Sequence, residues 1–226
     1  MNNITVLLVD DHKVLREGLR VLLEVEGDIT IIGEAETGRQ AVEMTNKFHP
    51  DVVVMDISMP HLNGLEATRQ ITRKSPSTKV IILSAYNDDE YVQQLTEAGA
   101  VGYVVKHSGA TELSKAIREA RKGNAFFSPS ITKRLLDYYR RSDAKGRPDQ
   151  KRDLSLTSRE SEVVQLVAEG QANKQIAAEL SLSIKTVEKY RQQVMDKLNI
   201  HETAGLTRYA VAKGIVEHNL REKILS

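Results

Sequence analysis

The chain has 226 residues, of which 40% are apolar and 28% charged, and a formal net charge of +1. This size and composition predict a globular protein with two domains. The lack of cysteine excludes disulfides and thiolate metal sites, and the six histidines show no metal-ligand spacing. No apolar run approaches the roughly 20 residues that cross a bilayer, and the first residues lack a signal-peptide pattern, so we expect a cytoplasmic protein.

The charge is divided unevenly along the chain. Residues 1–124 hold 14 Lys+Arg and 18 Asp+Glu, a net charge of −4, whereas residues 125–226 hold 18 and 13, a net charge of +5. Two parts of opposite charge predict different electrostatic partners.

Five short apolar runs alternate with helical patterns in the first part. The runs are Ile4 to Val9, Ile29 to Ile32, Val52 to Ile57, Val80 to Leu83 and Gly102 to Val105. Each is followed by apolar residues at helical spacing, beginning at Val14, Ala41, Leu65, Tyr91 and Leu113. This alternation predicts an α/β domain, a doubly wound parallel sheet of five strands covered by helices on both faces.

Ligands bind such a sheet beyond the carboxyl ends of its strands. Polar side chains stand at four of these ends, namely Asp10 with Asp11, Asp56, Ser84 and Lys106. Each alone could cap a turn or a helix or lie at the surface, but four ends together predict a site. Clustered carboxylates suit Mg²⁺. Beside the metal, Asp56 is the candidate nucleophile toward phosphorus, with a lysine and a hydroxyl holding the phosphoryl oxygens.

Residues 4 to about 123 resemble the receiver domain of two-component response regulators. The Asp10-Asp11 pair, Asp56, Ser84 and Lys106 stand at its acidic pair, phosphorylated aspartate, Ser/Thr position and lysine. The resemblance implies a flavodoxin-like sheet with strand order 2-1-3-4-5.

The resemblance also implies roles for individual residues. Mg²⁺ would be bound by Asp11, Asp56 and the backbone carbonyl of Ser58, with Asp10 helping through water. Tyr103 would be the aromatic that changes rotamer on activation, although an aromatic there could simply be packed. The chain departs from many receivers at His107, where a proline often follows the lysine.

The middle of the chain separates the two parts. Residues 130–139, after Phe126-Phe127-Ser128-Pro129, predict a short amphipathic helix with a serine cap. Residues 140–153 hold no aliphatic residue larger than alanine and predict a flexible linker. Its basic residues could contact DNA phosphates or could only keep a tether soluble.

Four helices are predicted in the second part. A capping box at Thr157 and Glu160 opens the first, a second covers Lys174 to Leu180, and a fourth covers Thr203 to Lys213. In the third, the apolar stripe comprises Ile184, Val187, Val194, Met195 and Leu198. The opposite face comprises Lys185, Lys189, Gln192 and Asp196. A short helix, a tight turn and a longer helix with an outward polar face predict a helix-turn-helix DNA-binding domain.

Residues 156–217 resemble the LuxR-type helix-turn-helix domain. The shared motifs are Leu156-Thr157-x-Arg159-Glu160, Glu169-Gly170, Asn173-Lys174-x-Ile176-Ala177 and Ser183-x-Lys185-Thr186-Val187-Glu188. The resemblance implies base contacts by Glu188, Lys189 and Gln192, and phosphate or groove-wall contacts by Lys174, Lys185, Thr186, Tyr190 and Arg191. Tyr190 replaces a commoner histidine, and Glu188 could serve packing instead. The fourth helix either pairs two copies or only completes the core.

The two resemblances together identify the chain as similar to NarL/FixJ-type response regulators. They imply a receiver domain at 1–124, a linker at 125–153, a DNA-binding domain at 154–217 and a tail at 218–226. The implied function is a sequence-specific transcription factor, not an enzyme, controlled by phosphorylation of Asp56. The implied partners are Mg²⁺, a sensor histidine kinase, operator half-sites in DNA, RNA polymerase and, after phosphorylation, a second copy of the chain.

Two other functions are compatible with parts of the pattern. An enzyme could form an aspartyl phosphate as an intermediate, but Ser58 stands where such an enzyme has a second acid, and no Gly-rich phosphate loop is present. A regulator could bind DNA without phosphorylation, but the intact acidic pair and Lys106 argue against it.

Overall fold

A computed structural model describes residues 3–85, 94–129, 131–133 and 156–216. The chain divides into two compact units, within residues 1–148 and 149–226. The first unit is a parallel sheet with an apolar core on each face, and the second is helical. No helix among the described residues is both long and apolar enough to cross a membrane.

The sheet of the first unit has six parallel strands in the order β2-β1-β3-β4-β5-β6. They are β1 Ile4–Val9, β2 Ile29–Ala35, β3 Val52–Met55, β4 Lys79–Ser84, β5 Gly102–Val105 and β6 Phe126–Phe127. The predicted α/β class and the order of the first five strands are confirmed. The prediction of five strands is wrong by one.

The sixth strand is too short to leave a periodic pattern in the sequence. Phe126 pairs with Gly102 and Phe127 with Tyr103, so the chain adds a parallel edge strand to the sheet after the helix that follows β5. Because successive strand residues face opposite sides, Phe127 packs on one core and Phe126 on the other. Phe126 and Phe127, which the sequence pattern placed before the predicted helix at 130–139, therefore belong to the sheet.

Four helices of the first unit are fully described: α1 Lys13–Glu24, α2 Gly38–Phe48, α3 Gly64–Lys74 and α4 Ala110–Arg121. Residues 94–97 are also helical, and the start of that predicted helix at Tyr91 lies outside the described residues. Side-chain caps fix two helix starts. Thr37 accepts a hydrogen bond from the backbone N–H of Gln40, and Asn63 accepts one from that of Glu66.

Strand β3 is buried on both faces, as its continuous apolar run predicts. Val53 and Met55 lie in the core on one side of the sheet, and Val52 and Val54 lie in the core on the other. The strand thus carries the chain through the centre of the unit and ends at Met55, directly before Asp56.

The second unit contains α5 Ser158–Ala168, α6 Asn173–Glu179, α7 Ile184–Leu198 and α8 Thr203–Ala212, around one shared core. The predicted capping box is present, with Thr157 and Glu160 bonded to each other's backbone N–H. Ile184 departs from its predicted packing role. It is 45% exposed at the first position of α7, one turn before the buried Val187.

The connection between the units is described only in part. Residues 131–133 of the predicted linker helix are helical. The rest of that helix, the predicted linker at 140–153 and the predicted tail at 218–226 lie outside the described residues. The domain boundaries drawn from the sequence therefore stay predictions.

Candidate functional site

The ends of β1 and β3 bring two carboxylates together. Val9 pairs with Met55, and the backbone N–H of Asp56 donates to the carbonyl of Val9 at 2.8 Å. Asp10 and Asp56 therefore leave neighbouring strands at the same level. The sequence predicted that this strand runs to Ile57, but it ends at Met55. The N–H of Ile57 donates to the Asp56 carboxylate at 2.9 Å.

Lys106 joins these two carboxylates. It follows β5 directly, and its Nζ lies 2.7 Å from Oδ2 of Asp10 and 3.0 Å from Oδ2 of Asp56. Both carboxylates are almost fully buried, at 2% and 4% exposure. The ammonium is thus the counter-charge that these buried anions share.

Burial has the largest single effect on the pKa values of Asp56 and Lys106. It raises the pKa of Asp56 to about 6, with the charge of Lys106 opposing the rise and that of Asp10 adding to it. Burial also lowers the pKa of Lys106, but the charge of Asp56 and the hydrogen bond to Asp10 outweigh it, so that pKa lies above its ordinary value. Lys106 is therefore a permanent cation, whereas Asp56 binds a proton more readily than an exposed aspartate does.

Asp11 and His12 complete the cluster. Nδ1 of His12 lies 2.8 Å from Oδ1 of Asp11 and 3.0 Å from Oδ1 of Asp10. Ligand atoms of Asp10, Asp11, His12 and Asp56 all lie within 4.8 Å of one another. Three carboxylates and the Lys106 ammonium leave a net charge of −2 when the imidazole is neutral. Carboxylate oxygens with this charge fit a divalent cation such as Mg²⁺.

Arg16 supports the acidic pair, and the sequence reasoning missed it. This buried arginine donates to the backbone carbonyl of Asp10 and to the carboxylates of Glu34 and Glu36. A signal was present in the sequence, because Arg16 lies seven residues before Leu23 and therefore on the same, buried face of α1. A cation on an apolar helix face needs buried partners.

The loop after Asp56 is held by backbone contacts that only glycines allow. Gly64 donates to the carbonyl of Ile57 at 2.8 Å, and Gly38 donates to that of Leu62 at 3.1 Å. A Cβ on Gly64 would lie 2.0 Å from the carbonyl oxygen of Asp56, and one on Gly38 would lie 2.4 Å from that of Leu62. The start of α3 therefore lies directly against the candidate nucleophile's backbone.

The remaining predicted receiver residues lie around this cluster. Ser84 ends β4 beside Val105, the residue before Lys106, and is 1% exposed. Ser58 is half-buried in the loop after β3. Tyr103 is buried in the apolar core, so the structure places it with core residues and not among the carboxylates.

In the second unit, α6 and α7 form the predicted helix-turn-helix. Ser181 takes a left-handed conformation with φ of 52°, and the Ser183 side chain caps α7 by accepting from the N–H of Thr186. The predicted DNA contacts with exposed side chains are Lys174, Lys185, Glu188, Lys189 and Gln192. The alternative packing role for Glu188 does not fit this exposure.

Two further predicted contacts, Arg191 and Tyr190, are engaged within the unit. Nη1 of Arg191 lies 2.6 Å from Oδ1 of Asn173, and its Nη2 lies 3.0 Å from Oγ1 of Thr203, so its guanidinium joins α7 to α6 and α8. Half-buried Tyr190 packs against the core. The structure therefore gives Arg191 and Tyr190 a supporting position.

Comparison with known proteins identifies both units. Residues 6–118 match the family described as response regulator receiver domain. Residues 154–210 match the family described as bacterial regulatory proteins, luxR family. LiaR, a transcriptional regulatory protein of Bacillus subtilis, is 39% identical over 207 residues, which are 92% of this chain and 96% of LiaR.

Solved structures agree with these matches. The RcsB response regulator of Salmonella typhimurium is 29% identical, with a TM-score of 0.57 over 94% of this chain and 100% of the RcsB chain. A structure of RcsB in complex with DNA is 29% identical, with a TM-score of 0.56 over 92% of this chain and 98% of RcsB. The chain therefore belongs to the NarL/FixJ family of two-component response regulators, transcription regulators that join a receiver domain to a LuxR-type DNA-binding domain.

Proposed function

We propose that Asp56 is the residue whose phosphorylation controls this regulator. The observation that carries the proposal is the placement of the Lys106 ammonium 3.0 Å from the Asp56 carboxylate and 2.7 Å from that of Asp10, at a buried sheet edge. Asp10, Asp11, Asp56 and the backbone carbonyl of Ser58 would hold Mg²⁺. When bound, this cation would offset the negative charge of the carboxylates and of the incoming phosphoryl group.

The reaction is transfer of a phosphoryl group to a carboxylate. An oxygen of Asp56 forms a bond to phosphorus while the bond between phosphorus and the donor breaks, and the donor atom keeps that electron pair. The donor is the phosphohistidine of a sensor kinase or a small acyl phosphate. Lys106 and the hydroxyl of Ser84 stabilise the phosphoryl oxygens, because Lys106 lies 3.0 Å from Asp56 and Ser84 ends β4 at the same edge of the sheet.

The phosphorylated aspartate acts as a switch and not as an intermediate of turnover. A shift from about 1% to about 99% active molecules requires about 5.5 kcal/mol of preference for the active state. New contacts from a phosphoryl dianion to Ser84 and Lys106 are of the kind that supply such a preference. In this proposal Tyr103, buried in the apolar core on β5, changes its rotamer, and the active form pairs with a second copy of the chain.

The second unit then reads DNA through the exposed face of α7. Glu188, Lys189 and Gln192 lie on this face and are proposed to contact base edges in the major groove of operator half-sites. Lys174 and Lys185 are proposed to contact phosphates, with Thr186 and Tyr190 at the groove wall. Arg191, held by two neighbouring helices, positions α7. Bound regulator would act on transcription through RNA polymerase.

Intact mass spectrometry after incubation with acetyl phosphate and Mg²⁺ tests the switch. We expect a stable increase of about 80 Da, one phosphoryl group, that is absent in Asp56→Asn. Asp51→Asn, at the other end of the same strand, is the matched control and should keep the increase. An increase that survives in Asp56→Asn would disprove the assignment, and continuous phosphate release without an adduct would favour an enzyme.

A further inference from the structure

Ile184 is an apolar side chain that the core of the second unit leaves exposed. It is 45% exposed, and it is the only large apolar residue with an exposed side chain among residues 156–216. Val187 and Val194, on the packed face of the same helix, are fully buried. A single exposed isoleucine needs no explanation by itself, because folded proteins commonly carry some. Ile184, however, lies beside the side chains that are proposed to contact DNA.

Ile184 continues the row of side chains proposed to read base edges. Ile184, Glu188 and Gln192 follow one another at intervals of four residues, so they lie in one row along α7, and all three are exposed. Lys185, the residue after Ile184, is exposed as well and is proposed to contact a phosphate. Ile184 occupies the amino-terminal end of the row. In helix-turn-helix proteins, the N-terminal residues of the recognition helix are the ones that contact base edges.

Hydrogen bonds fix the start of α7 without DNA. The Ser183 side chain accepts from the backbone N–H of Thr186 at 3.1 Å, and the two hydroxyl oxygens lie 2.8 Å apart. The N–H of Leu182 donates to the carbonyl of Ala177 at 2.8 Å, so the turn before α7 is bonded to α6. A β-branched side chain in a helix has one strongly preferred χ1 rotamer. Ile184 therefore loses little conformational entropy when it packs against a partner.

The major groove offers an apolar side chain one matching partner. Base pairs present hydrogen-bond donors and acceptors in this groove, and thymine alone adds an apolar methyl group. We propose that Ile184 contacts the C5-methyl group of a thymine in each operator half-site and so contributes to sequence specificity. This inference rests on the proposed placement of α7 in the major groove. Glu188, Lys189 and Gln192 read donors and acceptors, whereas Ile184 distinguishes thymine by removing apolar surface from water.

Replacing single thymines with deoxyuridine tests this directly, because the change removes the methyl group and keeps every hydrogen-bonding group of the base. The full chain is bound to a DNA site selected from a random pool, and each thymine of that site is replaced in turn. For wild type we expect one position in each half-site at which deoxyuridine weakens binding about three- to tenfold, the effect of losing roughly one buried methyl group. Fluorescence anisotropy measures the affinities.

A double-mutant cycle assigns the methyl contact to Ile184. In Ile184→Ala the same deoxyuridine substitution should have almost no further effect, because the apolar partner of the methyl group is already lost. Ile184→Val keeps a β-branched side chain and should retain most of the sensitivity, so the assignment stays testable if the alanine variant folds poorly. Lys189→Ala is the matched control on the same helix. It should lower the overall affinity and keep the deoxyuridine effect at this position.

The outcomes separate this inference from the proposed function. Sequence-specific binding by the wild type with no position sensitive to deoxyuridine would overturn the role of Ile184 and leave the proposed recognition face in place. Sensitivity that persists unchanged in Ile184→Ala, or that disappears in Lys189→Ala, would overturn that role as well. A wild-type chain that selects no sequence from the random pool would overturn the recognition face itself, and the role of Ile184 with it.

Discussion

The ammonium of Lys106 lies 3.0 Å from the carboxylate of Asp56, and it opposes the effect of burial on that group. Replacing Lys106 with alanine removes this opposition, so we expect the pKa of Asp56 to rise further above its value of about 6. Carboxyl ¹³C chemical shifts followed against pH measure the change. The rate of phosphorylation by acetyl phosphate should fall about 10²-fold, because a cation facing the phosphoryl group is lost. Lys106→Arg, which keeps the charge, should shift the pKa less, and an equal shift in both variants would contradict the electrostatic cause.

The raised pKa of Asp56 predicts that this residue destabilises the metal-free protein at neutral and alkaline pH. The folded state binds a proton more tightly than the unfolded chain, so this contribution to stability falls as pH rises from about 4 to about 6. Asp56→Asn should therefore be more stable than wild type by about 1–3 kcal/mol at pH 8 with EDTA present. Urea unfolding at pH 8 and pH 4 checks the sign. The advantage should disappear at pH 4, and an equal advantage at both pH values would refute the ionisation argument.

Gly64 should not tolerate a side chain. A Cβ at this position would lie 2.0 Å from the carbonyl oxygen of Asp56, so Gly64→Ala must displace either α3 or the loop that carries Asp56. We expect a loss of about 1–3 kcal/mol in unfolding free energy and slower phosphorylation. The matched control is Gly18→Ala in α1, where no atom lies within 4 Å of the added Cβ and a gain of about 0.5–1 kcal/mol is expected. Equal effects in the two variants would contradict the role of close approach.

Mutants of α7 should distinguish the residues that contact DNA from those that hold the helix in place. Lys189→Ala removes an exposed side chain and should weaken sequence-specific DNA binding by about 1–3 kcal/mol without lowering Tm. Arg191→Ala breaks the contacts to Asn173 and Thr203 and should lower Tm as well as affinity. Fluorescence anisotropy with a selected DNA site and thermal unfolding measure the two effects. Arg208→Ala, a cation of α8, serves as the control, and an affinity loss there equal to that of Lys189→Ala would indicate general charge and not base recognition.

The carboxyl edge of the sheet could be predicted because its residues follow buried apolar runs. Val52 to Met55 are apolar without interruption, and the strand they form ends directly before Asp56, so the position of the carboxylate follows from the pattern. Phe126 and Phe127 could not be assigned in this way, since two residues show no period and their pairing with Gly102 and Tyr103 is a long-range contact.

The hydrogen-bond partners of a side chain are harder to predict from the sequence than its position on a helix or strand. Arg191, half-buried between Val187 and Val194 on α7, is assigned to DNA by the resemblance, but its partners Asn173 and Thr203 come from other helices. The partners of Arg16 could not be predicted from α1 alone, because Glu34 lies on β2 and Glu36 directly follows that strand. The periodicity of one helix predicts the direction of a side chain but not which atoms of neighbouring elements lie beside it.

The short edge strand β6 has a mechanical consequence. The N–H of Ser128 donates to the carbonyl of Tyr103 at 2.9 Å, and Phe126 and Phe127 pair with β5. The chain that leaves the sheet toward the second unit is therefore tethered to the strand that carries Tyr103 and leads into Lys106. A displacement of that strand would therefore move the backbone of Phe126 to Ser128 with it, because these residues are bonded to the strand itself.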